Sequence, residues 1–184
     1  TKFKKWIVRA EELSKKYKSP YLLLTEFRLK SNYYSLVSDY ESLLKLCDDI
    51  QKDNSRGNNQ LYQTKKTEIA LNKIIALLNL GMFEEGKKHV GLTKRHFNKD
   101  NNNWFIFMEN YFILCMRTGN YDKAGVVLEE VKNNVFYRIQ PEIARYRWYI
   151  YQGYFAFVRP NHKPKFQLHN FLGNVPEYHK SLFG

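Results

Sequence analysis

A three-part signature recurs along this chain and limits the folds open to it. Gly81, Phe83 and Gly86 return 38 residues later as Gly119, Tyr121 and Ala124, and Ser38, Tyr40 and Leu43 take the same places 43 residues before Gly81. Each signature falls between runs whose apolar residues recur at spacings of three and four, the period of a helix and not of a strand. A fixed-period repeat of this kind means stacked supersecondary units. The Gly or Ser stands where one helix ends and the chain must reverse. The aromatic residue two positions on plugs the gap between antiparallel helices, and the small residue three further lets the second helix approach closely. Position 43 carries Leu, so the first pair is expected to splay wider. The longer first step is absorbed by a polar loop at 53–60.

The prolines mark the same organisation. They stand at 20, 141, 160, 164 and 176, which leaves 21–140 free of them. The first run, 3–17, carries Phe3, Trp6, Ile7, Ala10, Leu13 and Tyr17 on one helical face. Pro20 ends that element or opens the next, since proline is tolerated in a first turn. Helices are then predicted over 21–37, 40–52, 61–80, 83–97, 104–118, 121–132 and 141–158, with polar loops at 53–60 and 98–103. The run 104–118 is apolar almost all round, which implies burial on several sides, as in the middle of a stack. After Pro160 the pattern weakens.

Composition narrows the class. The 184 residues are 43% hydrophobic and 16% aromatic, enough for a real core, and mean hydropathy is −0.59. No apolar run approaches the roughly 20 residues of a membrane-spanning helix. Disorder, collagen and membrane spanning are thereby excluded. Cys47 and Cys115 cannot form a disulfide framework, show no metal-ligand spacing and fall within apolar helical patterns, so they read as core residues. A reducing cytoplasm is the expected compartment. The chain begins at Thr1, which suggests a piece of something longer.

The segments MFEEG after Leu80-Gly81, TGNYDKAGVVLEEV from Thr118 and VSDYESLLKLCDDI from Val37 resemble the tetratricopeptide (TPR) repeat, a helix–turn–helix unit of about 34 residues. The likeness is to divergent members of that class, such as bacterial proteins with TPR-type repeats. The repeats here are longer, Gly86 replaces the usual Ala, and the proline after each second helix is missing. The resemblance implies an all-α fold, a TPR-like superhelix of antiparallel helix pairs (an α-solenoid). Residues 1–184 would form a single TPR-like helical-repeat domain, with repeats at about 21–52, 61–97 and 104–132 and a degenerate one at 141–172. The tail FQLHNFLGNVPEY looks like the start of a further repeat region.

Catalytic chemistry is not in evidence. P-loop, GxGxxG, HExxH, GxSxG and CxxC motifs are missing. His89, His96, His162, His169 and His179 include no i, i+4 pair and read as surface residues. The paired acids Asp48-Asp49, Glu84-Glu85 and Glu129-Glu130 belong on solvated faces of second helices. No enzyme activity, cofactor or metal is expected. By the resemblance, first helices line the concave binding face, and alignment on the break residues selects Arg28 and Asn32, then Leu71, Ile75 and Asn79, then Glu109, Ile113 and Arg117. The expected function is a protein- or peptide-binding scaffold. The alternative is a nucleic-acid-binding or transcription-regulator-associated helical module. It rests on the net charge of +12 and on a basic stripe of Lys2, Lys5, Arg9 and Lys16 beside the first helix's apolar face.

Overall fold

The computed structural model describes the backbone of residues 2–55 and 60–159, and the side chains of these outside 53–64. Among the described residues there is no strand. The helices are α1 (Lys2–Tyr17), α2 (Pro20–Leu36), α3 (Tyr40–Ser55), α4 (Gln60–Asn79), α5 (Phe83–Thr93), α6 (Asn102–Arg117), α7 (Tyr121–Lys132) and α8 (Glu142–Val158), with short 3-10 turns at Lys94–His96 and Val135–Ile139. The all-helical expectation therefore holds. Pro20 opens α2 and Pro141 caps α8, both places where a missing amide proton costs nothing. The chain divides into two compact units, Thr1–Asn98 and Lys99–Gly184.

The three signatures fold alike, down to individual hydrogen bonds. Ser38, Gly81 and Gly119 all have left-handed backbone, at φ of 57°, 72° and 68°. The amide of Ser38 donates to the Ser35 carbonyl and that of Asp39 to Tyr34; Gly81 and Met82 donate in the same way to Leu78 and Leu77, and Gly119 and Asn120 to Met116 and Cys115. This pair of bonds satisfies carbonyls that a helix end leaves without partners, and it needs one residue at positive φ. Five residues beyond each left-handed position, Leu43, Gly86 and Ala124 are buried. Leu43 is accommodated fully, in a cluster with Phe27, Cys47, Ile69 and Ala76.

In the first unit, α1 packs on α2, α2 on α3, α3 on α4 and α4 on α5, while α2 also touches α4 directly. The core lies where α2, α3 and α4 meet, around Phe27, Leu43, Cys47 and Ile69. Burial pushes the Cys47 thiol up to about 12, so it is an inert apolar filler. The α1–α2 contact is polar by comparison. Lys30 bridges Glu11 (2.7 Å) and Glu26 (2.6 Å), and the buried Ser14 hydroxyl donates to Glu26. The apolar face expected for α1 is consequently only half used: Ala10 is buried, whereas Trp6 and Tyr17 face solvent at 66% and 59% exposure.

The second unit centres on α6, whose Trp104, Phe105, Phe107, Met108, Phe112, Leu114 and Cys115 are all buried. They meet Ala124, Val127, Leu128 and Val131 of α7. Phe112 also meets Trp148 and Tyr151 of α8, with ring centroids 6.3 and 5.2 Å apart. α3 runs on to Ser55 and α4 begins at Gln60, so both helices reach into the stretch 53–60 expected as a loop, while residues 56–59 lie outside the described set. So do the part of the fourth repeat beyond residue 159, the tail, His162, His169 and His179.

Candidate partner-binding surfaces

Arg28 and Glu109, picked out for the groove by register, are both engaged within the fold. Arg28 on α2 forms a two-pronged pair with Glu68 on α4, Nε to Oε1 at 2.6 Å and an Nη2 bond at 3.0 Å. Glu109 on α6 accepts from Arg147 at 3.0 Å and from the Tyr151 hydroxyl at 2.6 Å, both on α8. The two pairs are in the same register. Arg28 and Glu109 each stand eight residues before the end of their helix (Leu36, Arg117), and Glu68 and Arg147 each stand eleven before theirs (Asn79, Val158). The signs are reversed, but the contact is the same. Each joins a helix to the next but one, α2 to α4 and α6 to α8, passing over the helix between them in sequence.

Leu71 holds that same position in α4 and is buried at 8% exposure. Of the residues selected for the groove, Arg28 and Glu109 are thus engaged in ion pairs within the fold and Leu71 is buried. One and two turns further along, the remaining selected residues are more open. Asn32, Asn79 and Arg117 are exposed and Ile75 and Ile113 partly so. Residues four apart share a helix face, so Asn32 continues the Arg28 face of α2, while Ile75 and Asn79 continue the Leu71 face of α4. Asn79 spends one amide proton on the Ile75 carbonyl at 2.8 Å, and among the described residues nothing donates to its oxygen.

Lys2, Lys5, Arg9 and Lys16 are all exposed on α1. Arg9 pairs with Glu12 at 3.1 Å, an exposed contact of little energetic weight, and Lys16 lies 5.1 Å over the Tyr17 ring.

A further feature of the first unit escaped the sequence reading. Between α3, α4 and α5 lies an open cleft of about 570 Å³, lined on one side by Leu44, Leu77, Met82 and Leu92. Its polar side holds Lys73, whose ammonium donates to Asp48 at 2.6 Å and to Gln51 at 2.8 Å. His89 was expected at the surface and is instead buried, its Nε2 donating to the Ala70 carbonyl at 2.8 Å. Burial holds its pKa below the ordinary imidazole value. His96, on the 3-10 turn, is held low by burial and by the nearby cations Lys66 and Arg95. Its Nδ1 is buried without a hydrogen-bond partner. Histidines separated by a single turn junction and a lysine from another helix carry no sequence signal that links them.

Among the described residues no group of His, Cys, Asp and Glu could hold a metal ion, and no helix is long and apolar enough to cross a membrane. No family model matches the chain, and neither a curated protein nor a solved structure is significantly similar to it.

Proposed function

We propose that this chain is a TPR-like, non-enzymatic scaffold that binds a protein or peptide segment on faces formed by its first helices. The observation that carries the reading is the repeated ion pair between next-but-one helices, Arg28–Glu68 and Glu109–Arg147. It fits side-by-side first helices, as in a solenoid of helix pairs, and such helices present a shallow concave surface. Beyond the ion pair, Asn32, Ile75 and Asn79 in the first unit, and Ile113 and Arg117 in the second, offer mixed apolar and hydrogen-bonding contacts. That mixture suits an extended or amphipathic peptide. Cys47 and Cys115 are both buried, as small core residues are, and this cysteine usage suits a reducing compartment and supports a cytoplasmic location. No cofactor or metal enters the reading.

The basic stripe supports a second reading, nucleic-acid binding through α1, because four exposed cations share one line of that helix. The experiment that separates the two is a titration with short DNA and RNA duplexes across a salt series. Phosphate contacts give an affinity that falls steeply with salt, and replacing Lys2, Lys5, Arg9 and Lys16 by Gln then flattens the slope. We expect only weak, sequence-independent binding that vanishes near physiological salt. Tight, sequence-selective binding at that salt would replace the scaffold reading with the nucleic-acid one.

A further inference from the structure

The cleft of the first unit lies between the two second helices, α3 and α5, with α4 as its floor. It is thus a different surface from the one that Asn32 and Ile75 occupy. Three features of its lining belong together. Its apolar wall, with Leu77 buried and Leu92 66% exposed at the mouth, gives an apolar side chain a place to lie. Asp48, at its polar end, is already neutralised by Lys73. Lys88 and Arg95, also lining it, pair with no carboxylate among the described residues. Glu85 is the one acidic side chain of the lining without such a neutralising cation. Beside Arg95, the His96 Nδ1 is buried and lacks a partner. A neutral imidazole can carry its proton on that nitrogen and donate it to an oxygen anion.

We propose that this cleft is a second binding site, and that it takes an acidic peptide segment carrying large apolar side chains. The carboxylates sit against Lys88, Arg95 and His96, and the apolar side chains lie on Leu44, Leu77, Met82 and Leu92. Charge complementarity selects this occupant. A basic segment would face two unpaired cations, and a wholly apolar one would bury the Arg95 guanidinium unsatisfied and leave His96 Nδ1 still without a partner, which costs more than the apolar contact returns. The cleft is open rather than enclosed, which suits a peptide segment better than a small enclosed ligand.

The probe is a fluorescently labelled Asp-Leu-Glu-Phe-Glu-Leu-Asp peptide, amidated at its C-terminus, titrated with the full chain by anisotropy at physiological salt. Its counterpart has Lys at every acidic position. We expect saturable binding of the acidic peptide, none of the basic one, and movement of the His96 ring resonances on binding. The double variant Lys88→Gln, Arg95→Gln should weaken binding at least tenfold, and so should Leu92→Asn, which removes apolar surface at an exposed site. The double variant Lys2→Gln, Lys5→Gln removes the same charge from α1 and should change affinity less than twofold. Equal losses in the two double variants would reduce the effect to the chain's overall charge and overturn the proposal. So would equal binding of the two peptides, or saturable binding that leaves the His96 resonances unmoved. Ile75→Ala, on the first-helix face, should leave this binding unchanged; a tenfold loss there would place the peptide on that face and overturn the second site.

Discussion

Ser38 shows how much a single backbone angle decides. It holds φ of 57° where its two counterparts are glycines, and the left-handed region costs a residue with a Cβ roughly 1–2 kcal/mol. Ser38→Gly should therefore raise stability by about 1 kcal/mol. Gly81→Ala and Gly119→Ala should lower it by a similar amount, although an added Cβ at either site would meet no atom within 4 Å, so the whole penalty is conformational. Urea unfolding of the three variants checks this. Ala124 is limited by space instead. It is fully buried on α7, while Glu129 on the same helix is exposed. Ala124→Leu should cost on the order of 1–3 kcal/mol by overpacking, whereas Glu129→Leu should stay near neutral. Equal melting points would mean that the close-approach position is misassigned.

His89 gives a residue-scale prediction with a definite sign. Its folded pKa is depressed below the ordinary 6.5, by burial first, with Lys73 and His96 adding to the effect and the Ala70 hydrogen bond and Asp48 opposing it. Below 6.5 the unfolded chain takes up a proton that the folded chain resists. Stability from this group is then complete above that value and is lost as pH falls from it toward the lower folded value. His96 is depressed too and adds in the same direction. Unfolding free energy measured between pH 7.5 and 5 should decline. His89→Gln keeps a donor for the Ala70 carbonyl and should make the decline shallower; an unchanged slope would show that His89 is not its source.

At the scale of the element, the helix ends were legible and the contacts between helices were not. Glycine followed two residues later by an aromatic announces a reversal because only a few residues tolerate left-handed backbone. That is why α7 was placed residue for residue. The Arg28–Glu68 and Glu109–Arg147 pairs gave no such signal. Their charges are reversed between copies and lie some 40 residues apart in sequence, so no local pattern links them. The groove register selected Arg28 and Glu109 for a binding face and could not foresee that each is ion-paired within the fold. Similarly, the apolar spacing in α1 put Trp6 in the core, whereas Ser14 and the Glu11–Lys30–Glu26 network hold α1 to α2. Periodicity counts hydrophobic residues and is blind to polar ones that pack.

Two element-scale consequences follow. The second helices α3 and α7 start from Asp39 and Asn120, whose side chains accept from the amides of Ser42 and Lys123, but α5 starts from Met82, which has no such bond. Met82 and Asn120 share nearly the same backbone angles, φ −80°, ψ 64° and φ −84°, ψ 65°. Met82→Asn should supply the missing cap and stabilise by about 1 kcal/mol, read as a rise in the urea midpoint. The two ion pairs should differ in weight. The Arg28 side chain is 51% exposed, so Arg28→Ala should cost less than about 1 kcal/mol. Glu109 is only 14% exposed and serves two donors, so Glu109→Ala should cost on the order of 1–3 kcal/mol.

For the whole molecule, one structural device recurs along the chain. A left-handed cap turns the chain, a buried residue seats the helix that follows, and within each unit an ion pair ties a helix to the next but one, α2 to α4 and α6 to α8. On the proposed reading, what remains exposed along those helices meets the partner. The +12 charge is compatible with this without demanding nucleic acid, because several of the cations are spent on intramolecular pairs, among them Arg28, Lys30, Lys73, Lys87, Lys99, Arg147 and Arg159. The central claim is that partners engage the first-helix faces. Its most direct test is amide chemical-shift mapping of the full chain with a peptide selected against it from a random library. Perturbations should centre on Asn32, Ile75 and Asn79 or on Ile113 and Arg117, and Asn32→Ala with Ile75→Ala, or Ile113→Ala with Arg117→Ala, should weaken the peptide at least tenfold. Perturbations confined to Lys2, Lys5, Arg9 and Lys16 of α1, with affinity untouched by those variants, would contradict it.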